Sequence, residues 1–289
     1  MALTAGAAPV QADPTEAGFV FTDADFDKIR RLIKAQTGIH LSDAKRSLVY
    51  SRLGRRLRAL GLSDFTSYYA RVETDPEELM RCINAITTNL TAFFREPHHF
   101  DYLAETVLPE LRRKNAGSHR LRIWSAGCST GEEPYSIAMV VREVMGAARD
   151  WDIKILATDL DSDVVAKAAS GIYEERRLEG VSEQRRRRWF RRGRGANAGK
   201  VRIADEIRGL ITFRQLNLMH PWPMRGPFDV IFCRNVVIYF DKDTQRRLFD
   251  RYADILGAQR YLFIGHSESL HRVSERFQSL GKTMYRKIR

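Results

Sequence analysis

An α/β fold built on a parallel sheet, preceded by a small all-helical domain, is the fold class this sequence predicts. Three observations carry it. From Arg120 onward the chain alternates strand and helix patterns, whereas nothing before about residue 90 reads as a strand. A composition that is 44% hydrophobic over 289 residues supplies one large core, or one core with a small satellite. Between Gly171 and about Arg208 the alternation stops in an arginine-crowded stretch and then resumes, which reads as an insertion into the sheet domain.

Residues 1–20, rich in Ala, Gly and Pro, are expected to be a disordered tail, followed by a helical N-terminal domain at 21–90. Phe26, Ile29, Leu32 and Ile33 fall at helical spacing after the cap candidates Thr22 and Asp23. Leu48, Val49, Leu53, Leu57 and Leu60 repeat the pattern up to Gly61. Phe65 to Val72 and Leu79 to Ile86 complete the set, with Asp75-Pro76 as the turn between them. A sheet domain at 91–289 follows, with the insertion at 171–208. It begins with a linking helix from Phe100 to Arg113, then the strand Arg120–Ser125, the loop Ala126–Gly131 and a helix from Glu132 to Val144. Ile153–Ala157 is a second strand, followed by a helix near Val164 to Ala169. Later strands are Ile211–Arg214, Phe228–Cys233, Tyr261–Gly265 and Met284–Ile288, with a helix from Asp243 to Leu256. Such alternation implies right-handed crossovers, and ligands then bind at the carboxyl ends of the strands.

No apolar run reaches eighteen residues and no basic residue precedes Lys28, so neither a membrane span nor a secretory signal is expected. The scattered cysteines Cys82, Cys128 and Cys233 suit a reducing, cytoplasmic compartment and exclude a cysteine-built zinc site. Forty-eight Lys and Arg against 36 Asp and Glu leave a net charge of +12, which favours an acidic partner: nucleic acid, an anionic membrane surface or an acidic protein.

The loop after the first strand carries the first chemical signal. Gly131 is followed by Glu132 and Glu133 where a phosphate loop needs Lys, and no G-x-G-x-x-G fingerprint is present. Two carboxylates beside the turn repel a pyrophosphate but tolerate ribose hydroxyls or an ammonium group, both of which S-adenosylmethionine offers. The competing reading is a first-turn Glu pair complementing the helix dipole. Asp159, at the carboxyl end of the second strand, stands where a carboxylate holds ribose hydroxyls, whereas Asp161 and Asp163 read equally well as helix caps. Phe228–Cys233 delivers Arg234 and Asn235 to the same end of the sheet. Tyr239 follows in an apolar run where a tyrosine is more often core than functional.

Asn89-Leu-Thr-Ala-Phe-Phe-Arg95-Glu96 lies at the junction of the two domains, placed either to close over a ligand or to pack as an amphipathic connector. His98, His99, His220, His266 and His271 do not fall at metal-ligand spacings, so no metal is expected. From Lys45 to Arg58 there are six Lys and Arg and no acid. Arg52, Arg55 and Arg56 share one face, which reads as a solvated face or as a docking surface for an acidic partner.

Five motifs occurring in order make the chain resemble the chemotaxis receptor methyltransferases, the CheR family. They are Asn89–Glu96, Trp124–Ser136, Ala157–Asp159, Phe228–Asp241 and Gly265-His-Ser-Glu268, and the resemblance runs from about Phe26 to the C-terminus. The only departure is Gly127-Cys128, where relatives often carry small residues. The resemblance implies a Rossmann-like S-adenosylmethionine-dependent methyltransferase domain with an inserted small antiparallel β-subdomain. The implied reaction esterifies glutamate side chains on the cytoplasmic helical region of chemoreceptors, leaving S-adenosylhomocysteine. Carried over position by position, the cofactor contacts are Asn89, Thr91, Arg95, Glu133, Asp159, Asn217, Leu218, Arg234 and Asn235, with Arg95 and Tyr239 facing the transferred methyl. The Gly193-Arg-Gly195 loop is similar to that of members whose subdomain binds a tether peptide at the receptor C-terminus.

This agrees with the chemistry. A glutamate carboxylate is already ionised at neutral pH and attacks a sulfonium methyl without a general base. Receptor methylation segments are acidic, so Arg52, Arg55 and Arg56 become the expected substrate-binding residues. The chain is expected to act as a monomer, with no nucleic acid and no membrane insertion. A nucleic-acid methyltransferase would need a base-flipping pocket, often marked by [DNS]-P-P-[YFW], which is absent. A non-catalytic sensor of S-adenosylmethionine is the third reading.

Overall fold

Thr22 opens the first helix, α1 (Asp23–Thr37), through a reciprocal cap. Its hydroxyl accepts the Asp25 N–H at 3.1 Å, and the Asp25 carboxylate accepts the Thr22 N–H at 3.0 Å. The computed structural model describes residues 18–146 and 150–289. Most of the expected tail, 1–17, lies outside the described residues. The packed chain starts earlier than residue 21, because the Phe19 ring stands edge-on to Phe65 at 6.2 Å.

Arg46–Leu60 forms α2, Phe65–Thr74 α3 and Pro76–Ile86 α4. Gly61, at φ +66°, ends α2 in a left-handed cap that lets the Leu62 N–H reach the Leu57 carbonyl at 3.0 Å. Asp64 caps α3 by accepting the Ser67 N–H at 2.7 Å. Val49, Leu53, Leu57, Phe65, Tyr68, Val72, Ile83 and Ile86 fill the core of this helical unit.

Contacts divide the chain into two compact units. The helical one runs through Arg31 and from Ser42 to Ile86. The other takes Leu32–Leu41 together with Thr87–Arg289. The second half of α1 therefore belongs with the sheet. The Lys34 ammonium lies 2.8 Å from the Asp241 carboxylate, and Ile39 forms a β-bridge with Phe240.

In the sheet unit the linking helix is interrupted. Pro97–Tyr102 is α5 and Leu108–Lys114 is α6, and the chain between them, Leu103–Val107, makes a π-helical turn. Pro109 has no N–H to give the preceding turn. Arg120–Ala126 is β1, Glu132–Met145 α7, Asp152–Asp159 β2 and Ser162–Ser170 α8. Ile172–Glu174 (β3), Phe190–Arg192 (β4) and Lys200–Ile203 (β5) make a separate antiparallel sheet in the order β3-β5-β4, with α9 (Glu183–Trp189) before β4. The insertion is thus a small antiparallel β-subdomain. The main chain resumes with α10 (Asp205–Arg208), β6 (Ile211–Gln215), β7 (Phe228–Cys233), α11 (Lys242–Ile255), β8 (Leu256–Ile264), β9 (Phe277–Gly281) and β10 (Met284–Lys287).

The main sheet runs β6-β2-β1-β7-β8-β10-β9. Six of its seven strands run in one direction and β10 alone runs against them, antiparallel to both β8 and β9, so the sheet is mixed rather than wholly parallel. Phe277–Gly281 is a strand that the hydrophobic pattern does not announce, since it alternates only weakly. Apolar residues cover both faces of the sheet. The chain leaves β1 toward β2 on one side and later returns as β7 on the other. The crevice at this reversal therefore opens between the carboxyl ends of β1 and β7.

Candidate active site

The β1 loop is shaped by two glycines. Gly127 has φ +95°, and a Cβ there would lie 2.3 Å from the Val236 side chain. Gly131 has φ +97°, and a Cβ would meet Ala168 and the Tyr173 hydroxyl at 2.8 Å. Both positions need glycine for conformation and for space. The Gly127 and Cys128 N–H groups donate to the Thr158 carbonyl at 2.8 and 2.9 Å, which closes the loop over β2.

Glu132 and Glu133, adjacent in sequence, face different partners. Glu132 pairs with Arg177 of the inserted subdomain, whose guanidinium also donates to the Thr91 carbonyl at 2.9 Å. Glu133 points into the crevice, where it accepts the Ser125 hydroxyl at 2.8 Å and the Arg234 guanidinium at 3.1 Å. Burial pushes the Glu133 carboxyl up from its ordinary range, against the pull of Arg234 and Ser125.

Asp159 accepts the Ser129 N–H at 2.7 Å and the Asp161 N–H at 3.1 Å. Burial drives its carboxyl up to about 6 despite those two bonds. Asp161 is the cap, accepting Asp163 N–H and Val164 N–H at the start of α8. It also takes the Asn89 amide at 2.8 Å and the Thr87 hydroxyl at 2.9 Å, which ties the Asn89–Glu96 segment to the rim of β2. Asn89 therefore reaches the site through Asp161, a carboxylate that the sequence leaves open between ligand and helix cap and that here does the capping.

Arg234 is the centre of the buried charge. It is 5% exposed, lies 3.2 Å from Glu96 and 3.1 Å from Glu133, and donates to the Arg95 carbonyl. Burial pushes the Glu96 carboxyl up, but the His266 hydrogen bond at 2.9 Å and Arg234 outweigh it and bring it down to about 2. Nε of Arg234 is buried and has no partner among the described residues. A guanidinium with a spare donor beside a buried carboxylate fits the carboxylate and ammonium ends of an amino-acid moiety, which is the pair S-adenosylmethionine carries. Glu96, His98 and His99 also bring ligand-type atoms within 4.8 Å of one another. Arg234 on the same carboxylate opposes a cation there.

The remaining candidates come from the loops after β6 and β7 and from the Asn89–Glu96 segment. The Asn217 amide donates to the Gln36 carbonyl at 2.6 Å, and its oxygen accepts the Met219 N–H at 2.9 Å. Leu218 is buried and its carbonyl accepts from Trp222 and Arg251. Asn235 sits in the left-handed region at φ +59°. Tyr239 ends a 3₁₀ turn, Val237–Tyr239, and its carbonyl accepts the His40 N–H at 2.8 Å. The guanidinium of Arg95 donates to the Leu90 carbonyl at 2.9 Å, and among the described residues no carboxylate forms an ion pair with it. Ser125, Glu96 and His266, which lie within the five motifs but are not among the expected site residues, and Asp161, left open as a cap, complete this network.

The basic face of α2 departs from expectation. Arg56 makes a bidentate pair with Glu78, at 3.0 and 2.6 Å, and Glu78 is 1% exposed. Arg52 donates to the Ala85 and Ile86 carbonyls at the end of α4, at 3.1 and 3.0 Å. Both face α4 because positions three and four residues apart flank the Leu53–Leu57 stripe. Of the expected trio only Arg55 is exposed, and it is joined by Arg58.

Two family models match the chain: the CheR methyltransferase all-alpha domain over residues 24–87 and the CheR methyltransferase SAM-binding domain over 89–286. Chemotaxis protein methyltransferase 2 of Pseudomonas aeruginosa is 47% identical over 269 residues, covering 92% of this chain and 94% of that protein. The chemotaxis protein methyltransferase of Escherichia coli is 45% identical over 268 residues, covering 91% of each chain. With S-adenosylmethionine as its cofactor and methyl transfer as its reaction, the chain belongs to the CheR methyltransferase family as a chemotaxis protein methyltransferase.

Proposed function

We propose that this enzyme forms methyl esters on glutamate side chains in the acidic cytoplasmic helices of chemoreceptors, acting in the cytoplasm as a monomer. Arg95 carries the reading: a half-buried guanidinium that pairs with no carboxylate among the described residues, set one residue before the Glu96–Arg234 pair. A substrate carboxylate supplies what that fork lacks.

Bound S-adenosylmethionine supplies an electrophilic methyl group. Glu133 and Arg234 hold the amino-acid end, Asp159 the ribose hydroxyls, and Asn89, Thr91, Asn217, Leu218 and Asn235 the remaining surface. Arg95 and Tyr239 orient the incoming carboxylate. Because that carboxylate is ionised near neutral pH, these residues position and desolvate it and no general base is required. Arg55 and Arg58 contribute to docking of the acidic helix, and the β-subdomain around Gly193–Gly195 is the candidate seat for a receptor tether peptide.

Labelled S-adenosylmethionine incubated with a receptor cytoplasmic fragment tests this. Base-labile label on glutamate is expected. Base-stable label, or label in RNA and not in the receptor fragment, would refute it.

A further inference from the structure

The Gly265-His-Ser-Glu268 motif has no part in the reaction outlined above, although its loop leaves β8 directly beside the loop that leaves β7. Cys233 and Ile264 are register partners at the ends of these two parallel strands. The β8 loop touches the site from two sides. His266 reaches Glu96 at 2.9 Å, and Glu268 turns inward and is 5% exposed.

Glu268 accepts three backbone N–H groups: Gly265 at 2.6 Å, Asn235 at 3.1 Å and Ile238 at 3.3 Å. Among the described residues no cation pairs with it. Its charge is met by two N–H dipoles from the turn that joins Arg234 to Tyr239 and one from Gly265 of its own loop, an arrangement in which the carboxylate fills an anion-binding concavity of the backbone. Asn235 there holds φ +59°, a conformation that costs a non-glycine residue unless its surroundings enforce it. Gly265 leaves the room for it on the other side. A Cβ on Gly265 would lie 2.4 Å from the Asn235 amide nitrogen and 2.7 Å from its backbone nitrogen.

We propose that Glu268 is a positioning residue for methyl transfer: its buried carboxylate gathers the 235–238 turn into the one shape that presents Tyr239 to the reacting carboxylate. This rests on the reading of Tyr239 given above. Arg234 is fixed independently by Glu96, Glu133 and the Arg95 carbonyl, so the loss of Glu268 reaches the cofactor only through the single contact at Asn235, whereas it reaches the chemical step through the whole turn that carries Tyr239. Glutamine is nearly isosteric but offers an N–H₂ where the site needs a second acceptor, so Glu268→Gln turns an acceptor toward a donor.

The experiment is a double-mutant cycle in the full-length enzyme with Glu268→Gln, Tyr239→Phe and the pair. Single-turnover receptor methylation at saturating S-adenosylmethionine is measured together with cofactor affinity by calorimetry. Glu268→Gln is expected to change affinity by about threefold or less and to slow transfer roughly tenfold or more. The double variant should be no slower than the slower single variant, because Glu268 acts through Tyr239. A wild-type rate in folded Glu268→Gln overturns the proposal, as do multiplicative rate losses, which mark a general structural role. A wild-type rate in Tyr239→Phe sinks the Tyr239 reading and this proposal with it. That failure is distinct because it appears in the single variant lacking any Glu268 change. If Glu268→Gln does not fold, Gly265→Ala displaces the same turn from the opposite side, and its rate loss must also vanish in the Tyr239→Phe background.

Discussion

The basic face of α2 and the buried arginine after β7 look alike on paper, yet their guanidinium groups are in opposite states. On α2, Arg56 is bound at both ends of its fork by one buried carboxylate, and Arg52 closes the last carbonyls of α4. These charges hold helices together. Arg234 is set between two carboxylates, Glu96 and Glu133, and still has a buried Nε without a partner among the described residues. Unmet hydrogen-bonding capacity in a buried ion is expensive to keep. Arg142, Arg208, Arg260 and Arg286 also carry such a nitrogen, but of these arginines only Arg234 holds it between two carboxylates at the carboxyl ends of the strands, where a ligand can use it. An arginine's role is read from which of its donors are already used.

Arg234→Ala tests the contrast most severely. It strands Glu96 and Glu133 in the interior without their cation, a loss of about 3–5 kcal/mol, and it removes the donor proposed for the cofactor. Denaturant midpoints and calorimetric titration should show both effects at once. A normal midpoint would mean that water reaches those carboxylates and that the site is not dry.

Next in size, Arg56→Ala should cost about 3 kcal/mol by removing the bidentate partner of buried Glu78, which keeps only the Tyr68 hydroxyl at 3.1 Å and the more distant Arg81 guanidinium at 3.9 Å. Replacing both partners, as in Arg56→Met with Glu78→Leu, should recover most of the loss. If the single and double variants unfold alike, the pair is not what holds α2 to α4.

Part of this was legible beforehand. Helical spacing with Gly61 as a stop, the strand–loop–helix at Arg120–Glu132 and the strand ending in Arg234-Asn235 are local patterns, and local patterns survive folding. Partners distant in sequence leave no such trace. Nothing near Arg56 says that its side chain meets Glu78, and nothing near Asp161 says that it takes the Asn89 amide. The same blindness hid the attachment of Leu32–Leu41 to the sheet unit and the role of Glu268, which acts on a turn some thirty residues earlier in the chain.

Asp159 gives a smaller, pH-dependent effect. Its carboxyl titrates near 6 because burial outweighs the Ser129 and Asp161 N–H bonds. With a folded value above the ordinary one, its contribution to the stability of the free enzyme is present at low pH and lost as pH rises through about 6. Cofactor affinity runs the other way, since only the ionised form makes charge-assisted bonds to two hydroxyls. Affinity should therefore fall as pH drops through about 6, and the cofactor-induced rise in Tm should be larger at pH 7 than at pH 5. Asp159→Asn should weaken binding by about 1.5–3 kcal/mol and flatten that dependence. Affinity that stays level through pH 6 in the wild type would place the ribose elsewhere.

The smallest effect in stability is the most informative about the partner. Arg55 and Arg58 are the exposed members of the α2 face, and apart from the Arg58 guanidinium 5.4 Å above the Phe19 ring they have little to hold. Reversing both to Glu should shift unfolding by no more than about 0.5 kcal/mol, in contrast with Arg56→Ala. Each lost contact to an acidic helix is worth only about 0.2–1 kcal/mol, but reversal adds repulsion and slows encounter. Receptor methylation should therefore slow several-fold at low ionic strength while S-adenosylmethionine affinity stays unchanged, and the difference from wild type should shrink as salt screens both proteins. Initial rates taken across a salt series for the two enzymes decide it. Superimposable curves would show that the exposed arginines are solvated and nothing more, and that the acidic substrate is recognised from another face.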